Sequence, residues 1–243
     1  MTITQQHYQQ MATQGFCVLE SVFTLPDMES LALLIEAYQR RHEEALAQQG
    51  GTEGISRANE ITFTSHLAEH DPAIMAFCRR AELIEIATAF LGGDVDLYWN
   101  QSVYKMPEGH KEFPWHQDDG YTPVTPSPYL TLWLAVNDAT PENGCISALP
   151  GSHKQGLLPH KQTPIGLVCH AADDPDQGVM VPVKAGSIAV FWSLTAHKSG
   201  VNGSNDIRKA YIIQYAKAGL KSLRTGQTIE AVTPMARDGV RVL

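Results

Sequence analysis

The spacing of apolar residues changes near residue 94. Before that point it is helical. In TLPDMESLALLIEAYQRRHEEALAQQGG, residues 24–51, Leu31, Leu34, Ile35 and Tyr38 recur at three- and four-residue intervals. Thr24 or Asp27 suits the helix cap, Pro26 suits the first turn, and Gly50-Gly51 ends the helix. The pattern predicts a second helix from about Asp71 to Phe90, with Pro72 near its start and Gly92-Gly93 at its end. Its apolar positions Ile74, Phe77, Ile84 and Ala87 read as core, while Arg40 and Glu44 form an i,i+4 pair on the solvated face of the first helix. After residue 94 the texture becomes aromatic, β-branched and alternating. VDLYWNQSVYKM, YLTLWLAVND, MVPVKAGSIAVFWS and RKAYIIQYAK read as strands separated by Gly and Pro clusters. The pattern predicts a mainly-β barrel or sandwich with helices added on the N-terminal side. No repeat or linker divides the chain. One domain is expected over 1–243, helical to about 93 and β from about 94 to 220.

Composition narrows the function classes. The 243 residues are 43% hydrophobic and 18% charged, which is ordinary globular composition. A net charge of −8 argues against a nucleic-acid partner. There is no run of 18 apolar residues, so no membrane span is expected. The N-terminus lacks the basic and apolar regions of a secretory signal, so a cytoplasmic protein is expected. Cys17, Cys78, Cys145 and Cys169 show no CxxC spacing and read as buried, reduced residues.

The candidate chemistry lies in FPWHQDDGYT, residues 113–122. On extended backbone His116 and Asp118, at i and i+2, point the same way and can reach one ion. His197, just after the apolar strand SIAVFW, is the candidate third ligand. Two histidines and a carboxylate on one face form the ligand set of non-haem Fe(II) oxygenases and leave coordination positions open. Eleven residues on, Arg208 opens another strand, where a guanidinium can pair with a carboxylate. Each piece is weak alone. The order HxD, then H, then R in a β-rich chain is much more specific.

At these residues the chain resembles the phytanoyl-CoA dioxygenase family of Fe(II)/2-oxoglutarate oxygenases. WHQDDGY, YLTLWLAVNDATPENGCISALPGSH, AGSIAVFW and AHKSGVNGS followed by Arg208 keep the family's order. The resemblance covers roughly residues 5–220. It implies a double-stranded β-helix, a cupin-like jelly roll, with N-terminal helices packed on one sheet. It implies Fe(II) on His116, Asp118 and His197, and 2-oxoglutarate bound by Arg208 with Ser199, Trp133, Lys105 and Gln101. Dioxygen would be the oxidant, with succinate and carbon dioxide released. Trp99, Gln101, Phe113, Trp115 and Tyr121 are candidates for the substrate-pocket wall. Because Asp118 is present, the halogenase variant of this site is disfavoured. The implied substrate is a small metabolite or natural-product intermediate, since no basic patch for a coenzyme A phosphate is evident.

The remaining features carry less. Asp119 should face away from His116 by strand alternation. His153 reads as a turn residue, and His66, His70, His110, His160 and His170 as surface groups or local hydrogen-bonders. The C-terminal tail from Leu220 matches nothing in the family, and would either close over the pocket or mediate dimer contacts. A monomer or homodimer is expected. Two other classes fit the same residues: a jelly-roll metalloenzyme doing non-oxidative chemistry, and a non-catalytic binding protein of the same fold. The first gives Arg208 and Ser199 no shared task, and the intact triad and arginine argue against the second.

Overall fold

A computed structural model of the chain describes residues 2–107, 112–169 and 178–242. His110 and His170 lie outside the described residues. The N-terminal part runs through helix α1 (Gln5–Thr13), strand β1 (Phe16–Leu19) and the long helix α2 (Leu25–Gln48). Thr24 caps α2 in a reciprocal box. Its backbone N–H donates to Asp27 Oδ2 at 2.9 Å, and Asp27 N–H donates to Thr24 Oγ1 at 3.3 Å. Residues 61–65, unmarked as a strand by the pattern, form β2 (Ile61–Ser65). The predicted second helix is two pieces, α4 (Pro72–Cys78) and α5 (Ala81–Leu91), and a single turn, α3 (Leu67–His70), precedes it. The break falls at Arg80, whose backbone is extended (ψ 141°) and whose guanidinium reaches Asp27 at 2.5 Å and Glu82 at 2.6 Å. No Gly or Pro marks this break. The Arg80–Asp27 ion pair lies at it.

The β part contains β3 (Val95–Lys105), β4 (Phe113–His116), the single-turn helix α6 (Asp118–Tyr121), β5 (Leu130–Ala135), β6 (Ile146–Ala148), β7 (Val179–Val181), β8 (Ile188–Trp192), β9 (His197–Ser199), β10 (Arg208–Lys217) and β11 (Thr233–Arg237). The larger sheet has the order β1-β8-β5-β10-β3-β2, and the smaller one β7-β6-β9-β4, with antiparallel neighbours throughout. This is the jelly roll that the resemblance implied.

Side-chain alternation divides the larger sheet into two faces. Leu130, Leu132 and Leu134 of β5, Ile188 and Val190 of β8, and Tyr211, Ile213 and Tyr215 of β10 face outward. They pack with Leu31 and Ile35 of α2, Ile74 of α4, and Leu83, Ile84 and Ile86 of α5. Burying each such side chain contributes roughly 1.5–3 kcal/mol, so this layer anchors the helices to the sheet. The opposite face carries Trp133, Ala135, Ala189, Phe191 and Ala210, packed against Cys145, Ile146 and Ala148 of the smaller sheet's side. The site lies on this inner face.

Two irregularities re-aim residues inside. Gln214 pairs with Trp99 but Tyr215 with Leu97, so Tyr98 is an extra, bulged residue. His197 pairs with His116 but Ser199 with Phe113, so three steps on β4 oppose two on β9. The tail is part of the fold. β11 pairs with β3, Met235 is fully buried, and Arg237 bonds Asp96 at 2.6 Å. Among the described residues no tail side chain itself lines the cavity, but Leu220, Ile229 and Val232 pack against Tyr98, Tyr129 and Trp99 of its wall. The four cysteines are buried and free.

Candidate metal centre

His116 ends β4, Asp118 begins α6, and His197 begins β9 on the neighbouring strand. The intervening Gln117 is extended (φ −113°, ψ 138°), and this turns His116 and Asp118 to the same side although Asp118 is not itself in a strand. Asp118 Oδ1 lies 3.7 Å from His116 Nε2 and 3.7 Å from His197 Nε2. One ligand atom from each residue falls within 4.8 Å of the others, so the three could hold one metal ion.

Hydrogen bonds behind these residues prepare each one for that role. His116 Nδ1 is 2.8 Å from the Pro114 carbonyl, and His197 Nδ1 is 3.0 Å from the Thr195 carbonyl. A carbonyl only accepts, so each Nδ1 carries the hydrogen and each Nε2 lone pair is free toward the metal position. Burial, and next the neighbouring His197, hold His116 well below the usual imidazole range, which keeps it neutral. On Asp118, Oδ2 accepts from Thr131 Oγ1 at 2.6 Å and from Gln214 Nε2 at 3.0 Å. Gln214 Nε2 is also 3.2 Å from Thr131 Oγ1. With Oδ2 taken by two donors, Oδ1 is the oxygen presented beside the imidazoles.

Gln117 is pinned as firmly. Its Nε2 donates to Gly156 O at 2.9 Å and Leu194 O at 2.6 Å, and its Oε1 accepts from Leu158 N–H at 2.7 Å. Its backbone N–H donates to His160 Nε2 at 3.1 Å. His160 Nδ1 sits 2.7 Å from Leu158 O, so this ring too is in the tautomer the bond requires. The ring packs so tightly on Gly120 that a Cβ there would collide with it. Asp119 faces away and accepts from Ser127 Oγ at 2.6 Å.

A cavity of about 350 Å³ opens over the triad. It is also lined by Arg208, Ser199, Trp133, Gln101, Trp99, Phe113 and Tyr121. Arg208 is 1% exposed, and among the described residues none of its three guanidinium nitrogens has an acceptor. The Trp133 ring centre lies 5.1 Å from its guanidinium carbon. Burial pushes its pKa down to about 10. A buried, unpaired cation costs several kcal/mol, and a carboxylate ligand would offset that cost through a bidentate pair. The residues present therefore fit both a metal ion and an anionic cosubstrate.

Two expected lining residues sit elsewhere. Lys105, the cross-strand partner of Arg208, is 1% exposed, but its Nζ donates to Ser199 Oγ at 3.0 Å, to Ser199 O at 3.3 Å and to Gly200 O. With its donors so used, Lys105 braces the β9 segment and is not on the cavity wall. Trp115 packs with Cys169 and Ala196, away from the cavity, because the β4 irregularity puts Phe113 and His116 on the inner side together. The pattern passed over Gln117, Thr131 and Gln214. Thr131 is two residues from Trp133, and Gln214 is six from Arg208, so both share the inner face with recognised residues. A polar residue inside an apolar strand was the available signal.

A family model described as phytanoyl-CoA dioxygenase matches residues 11–210. A probable alpha-ketoglutarate-dependent hypophosphite dioxygenase of Stutzerimonas stutzeri is 31% identical over 220 residues, spanning 84% of this chain and 76% of that protein. The peroxisomal phytanoyl-CoA dioxygenase of Bos taurus is 29% identical over 228 residues, spanning 84% of this chain and 66% of that protein. Among solved structures, the non-heme alpha ketoglutarate dependent carbocyclase SnoK from nogalamycin biosynthesis superposes with a TM-score of 0.74 at 20% identity, over 96% of each chain. That last likeness shows the fold.

Proposed function

The chain belongs to the phytanoyl-CoA dioxygenase family, and from that premise we propose that it hydroxylates a C–H bond of a small metabolite or natural-product intermediate, with iron held by His116, Asp118 and His197 and 2-oxoglutarate anchored by Arg208. It is an Fe(II)- and 2-oxoglutarate-dependent dioxygenase. When bound, the iron supplies the oxidative chemistry, in which substrate, dioxygen and 2-oxoglutarate give hydroxylated product, succinate and carbon dioxide.

The chain's own residues bind and orient. The carbonyls of Pro114 and Thr195 fix the tautomers of the two histidines. Thr131 and Gln214 hold Asp118 so that one oxygen is offered to the metal. Arg208 takes the far carboxylate of the cosubstrate, with Ser199 beside it and Trp133 along its flank. Phe191, whose ring centre is 4.5 Å from that of His197, and Phe113, 4.8 Å from that of His116, keep water from the ligand rings. Such exclusion strengthens every electrostatic contact in the site.

The observation that carries this reading is Arg208: a fully buried guanidinium without an acceptor, sharing one cavity with the triad. A metalloenzyme doing non-oxidative chemistry leaves that cation without a purpose, and a binding protein leaves the triad beside it without one. The name of the Stutzerimonas stutzeri relative points to hypophosphite for that protein. This cavity's wall is mostly aromatic and aliphatic, which favours an organic substrate. Among the described residues no helix is long and apolar enough to cross a membrane. The test is conversion of 2-oxoglutarate to succinate by the iron-loaded protein in air. Succinate release that requires Fe(II) and is lost in Arg208→Met supports the proposal. Release unaffected by that change overturns the assignment of Arg208.

A further inference from the structure

Resting on that reading, we infer that the C-terminal segment 220–232 sets the size of substrate the site accepts: it backs an aromatic cup of Tyr98, Trp99 and Tyr129 that receives a ring of the substrate. All three aromatics line the cavity. Tyr98 and Tyr129 meet edge to face, with ring centres 5.2 Å apart. Trp99 is held by an edge contact with His66, ring centres 4.2 Å apart, and its Nε1 donates to Gln101 Oε1 at 3.1 Å. Rings set at such angles present both faces and edges, against which another ring packs favourably. The bulge in β3 builds the cup. Tyr98 and Trp99 are neighbours in sequence, and regular alternation would send them to opposite faces of the sheet. The bulge brings both to one cavity.

The cup lies across the metal position from the cosubstrate anchor. Along β5 the inward residues follow in order. The Trp133 ring centre is 5.1 Å from the Arg208 guanidinium carbon, and Thr131 bonds the Asp118 carboxylate at 2.6 Å. Tyr129, just before the strand, is the next inward residue. Successive inward residues stand roughly 6–7 Å apart along a strand. The neighbouring strands repeat the order. Gln214 of β10 also bonds Asp118, at 3.0 Å, and it pairs with Thr131 on one side and Trp99 on the other. Tyr98 is the bulged residue next to that rung. A cosubstrate reaching from the metal position to Arg208 runs toward Trp133 and leaves the cup to the substrate.

The C-terminal segment forms the outer layer of this cup. It lies beyond residues 11–210, the part matched by the family model. Leu220 is 1% exposed and shares one cluster with Tyr98, Val124 and Tyr129, and Ile229, Val232 and Trp99 pack on that cluster. The segment is tied down at several points. Lys221 and Ser222 pair antiparallel with Thr125 and Val124, Leu223 N–H donates to Pro123 O at 2.9 Å, and Ile229 N–H donates to Leu220 O at 2.9 Å. Arg224 donates at 3.3 Å to the carbonyl of Gly120, two residues from Asp118. Beyond Val232 the chain enters β11, which pairs with β3. With both ends anchored, the bulk of Ile229 and Val232 fixes how far the aromatic rings can retreat. Side chains around a truncated residue relax only partly into the space it leaves. Shortening these two residues therefore deepens the cup for a larger ring.

The test uses the full chain loaded anaerobically with Fe(II) and 2-oxoglutarate, whose visible charge-transfer band is recorded first. Three probes share a hydroxymethyl group and grow by one fused ring at a time: benzyl alcohol, 2-naphthalenemethanol and 2-anthracenemethanol. Binding is read as a shift of the band. In the double variant Ile229→Ala, Val232→Ala, the affinity for the three-ring probe relative to the two-ring probe should rise about tenfold over the unaltered protein, because more apolar surface is buried. Val232→Leu adds bulk and should lower that ratio. Leu223→Ala, on the same segment but 60% exposed, should leave it unchanged. The 2-oxoglutarate affinity should stay that of the unaltered protein in every variant, which a general loosening of the fold would not allow. An unchanged ratio in the double variant overturns the inference. So does an equal change in Leu223→Ala, a ratio that rises in Val232→Leu, a parallel loss of 2-oxoglutarate affinity, or no binding by any probe. If the double variant does not fold, the direction of the change in Val232→Leu decides. If the band never forms in the unaltered protein, the iron/2-oxoglutarate reading fails first. If the band forms and the ratios do not move, only the inference about the C-terminal segment fails.

Discussion

Replacing Thr131 by valine removes one hydroxyl from behind Asp118, the carboxylate proposed to hold the metal, and leaves the shape of the side chain nearly unchanged. Thr131 Oγ1 donates to Asp118 Oδ2 at 2.6 Å, and Thr131 is 1% exposed. A hydrogen bond to a charged acceptor contributes about 1.5–3 kcal/mol. At about 1.4 kcal/mol per tenfold, the Fe(II) affinity of Thr131→Val should fall roughly ten- to a hundredfold. Gln214 still donates to the same oxygen at 3.0 Å, which places the effect toward the smaller figure. The assay is anaerobic titration with Fe(II), followed by intrinsic fluorescence, alongside a thermal melt. Thr131→Ser keeps the hydroxyl and should retain most of the affinity, which a purely structural role for the methyl group would not predict. An affinity for Thr131→Val within twofold of the unaltered protein would refute the reasoning, as would a serine variant as weak as the valine one.

Arg208→Met should melt higher than the unaltered protein when both are free of cosubstrate, by roughly 1–4 kcal/mol, because it removes an uncompensated buried charge. It should show no stabilisation by 2-oxoglutarate in a thermal-shift assay, and a lower melt with an intact 2-oxoglutarate shift would contradict this. Arg208→Lys should weaken 2-oxoglutarate binding because the planar fork is lost, which calorimetry checks. Gly144→Ala should destabilise by about 1–3 kcal/mol, since φ is +81° and a Cβ would press on the backbone of Gly200 and Val201 beside Ser199; denaturant unfolding measures it. Asp27 is held down to about 2 from its usual 3.8, first by the Thr24 hydroxyl and then by the Thr24 N–H and Arg80. Its contribution to stability is present above pH 3.8 and is lost as pH falls toward 2. Asp27→Asn should therefore flatten the acid limb of a stability-against-pH curve; an unchanged limb would argue against this.

The candidate ligand set was legible because its geometry is local. His116 and Asp118 needed only one extended residue between them, and Gln117 supplies it. His197 and Arg208 were found from their places after and at the start of apolar strands, and by family order. What alternation could not reveal was where it breaks. The irregular pairing of β4 with β9 turned Trp115 out and Phe113 in, and the bulge at Tyr98 brought two adjacent aromatics to one cavity. Lys105 was placed on the correct strand face, but its length carries the ammonium past the cavity to the carbonyls after β9. Residues 61–65 escaped notice because polar residues surround Ile61 and Phe63, and the strand exists through its pairing with β3. At the break Arg80 bonds Asp27, 53 positions earlier, a contact no local pattern records.

The account's central claim is that the triad and Arg208 together bind iron and 2-oxoglutarate. Its most direct measurement is the visible absorption spectrum of the purified protein titrated anaerobically, first with Fe(II) and then with 2-oxoglutarate. The account predicts a charge-transfer band that appears only when both are present, saturates at one 2-oxoglutarate per chain, and is absent in His197→Ala. A saturating metal titration with no such band, or a band of equal strength in His197→Ala, would contradict it.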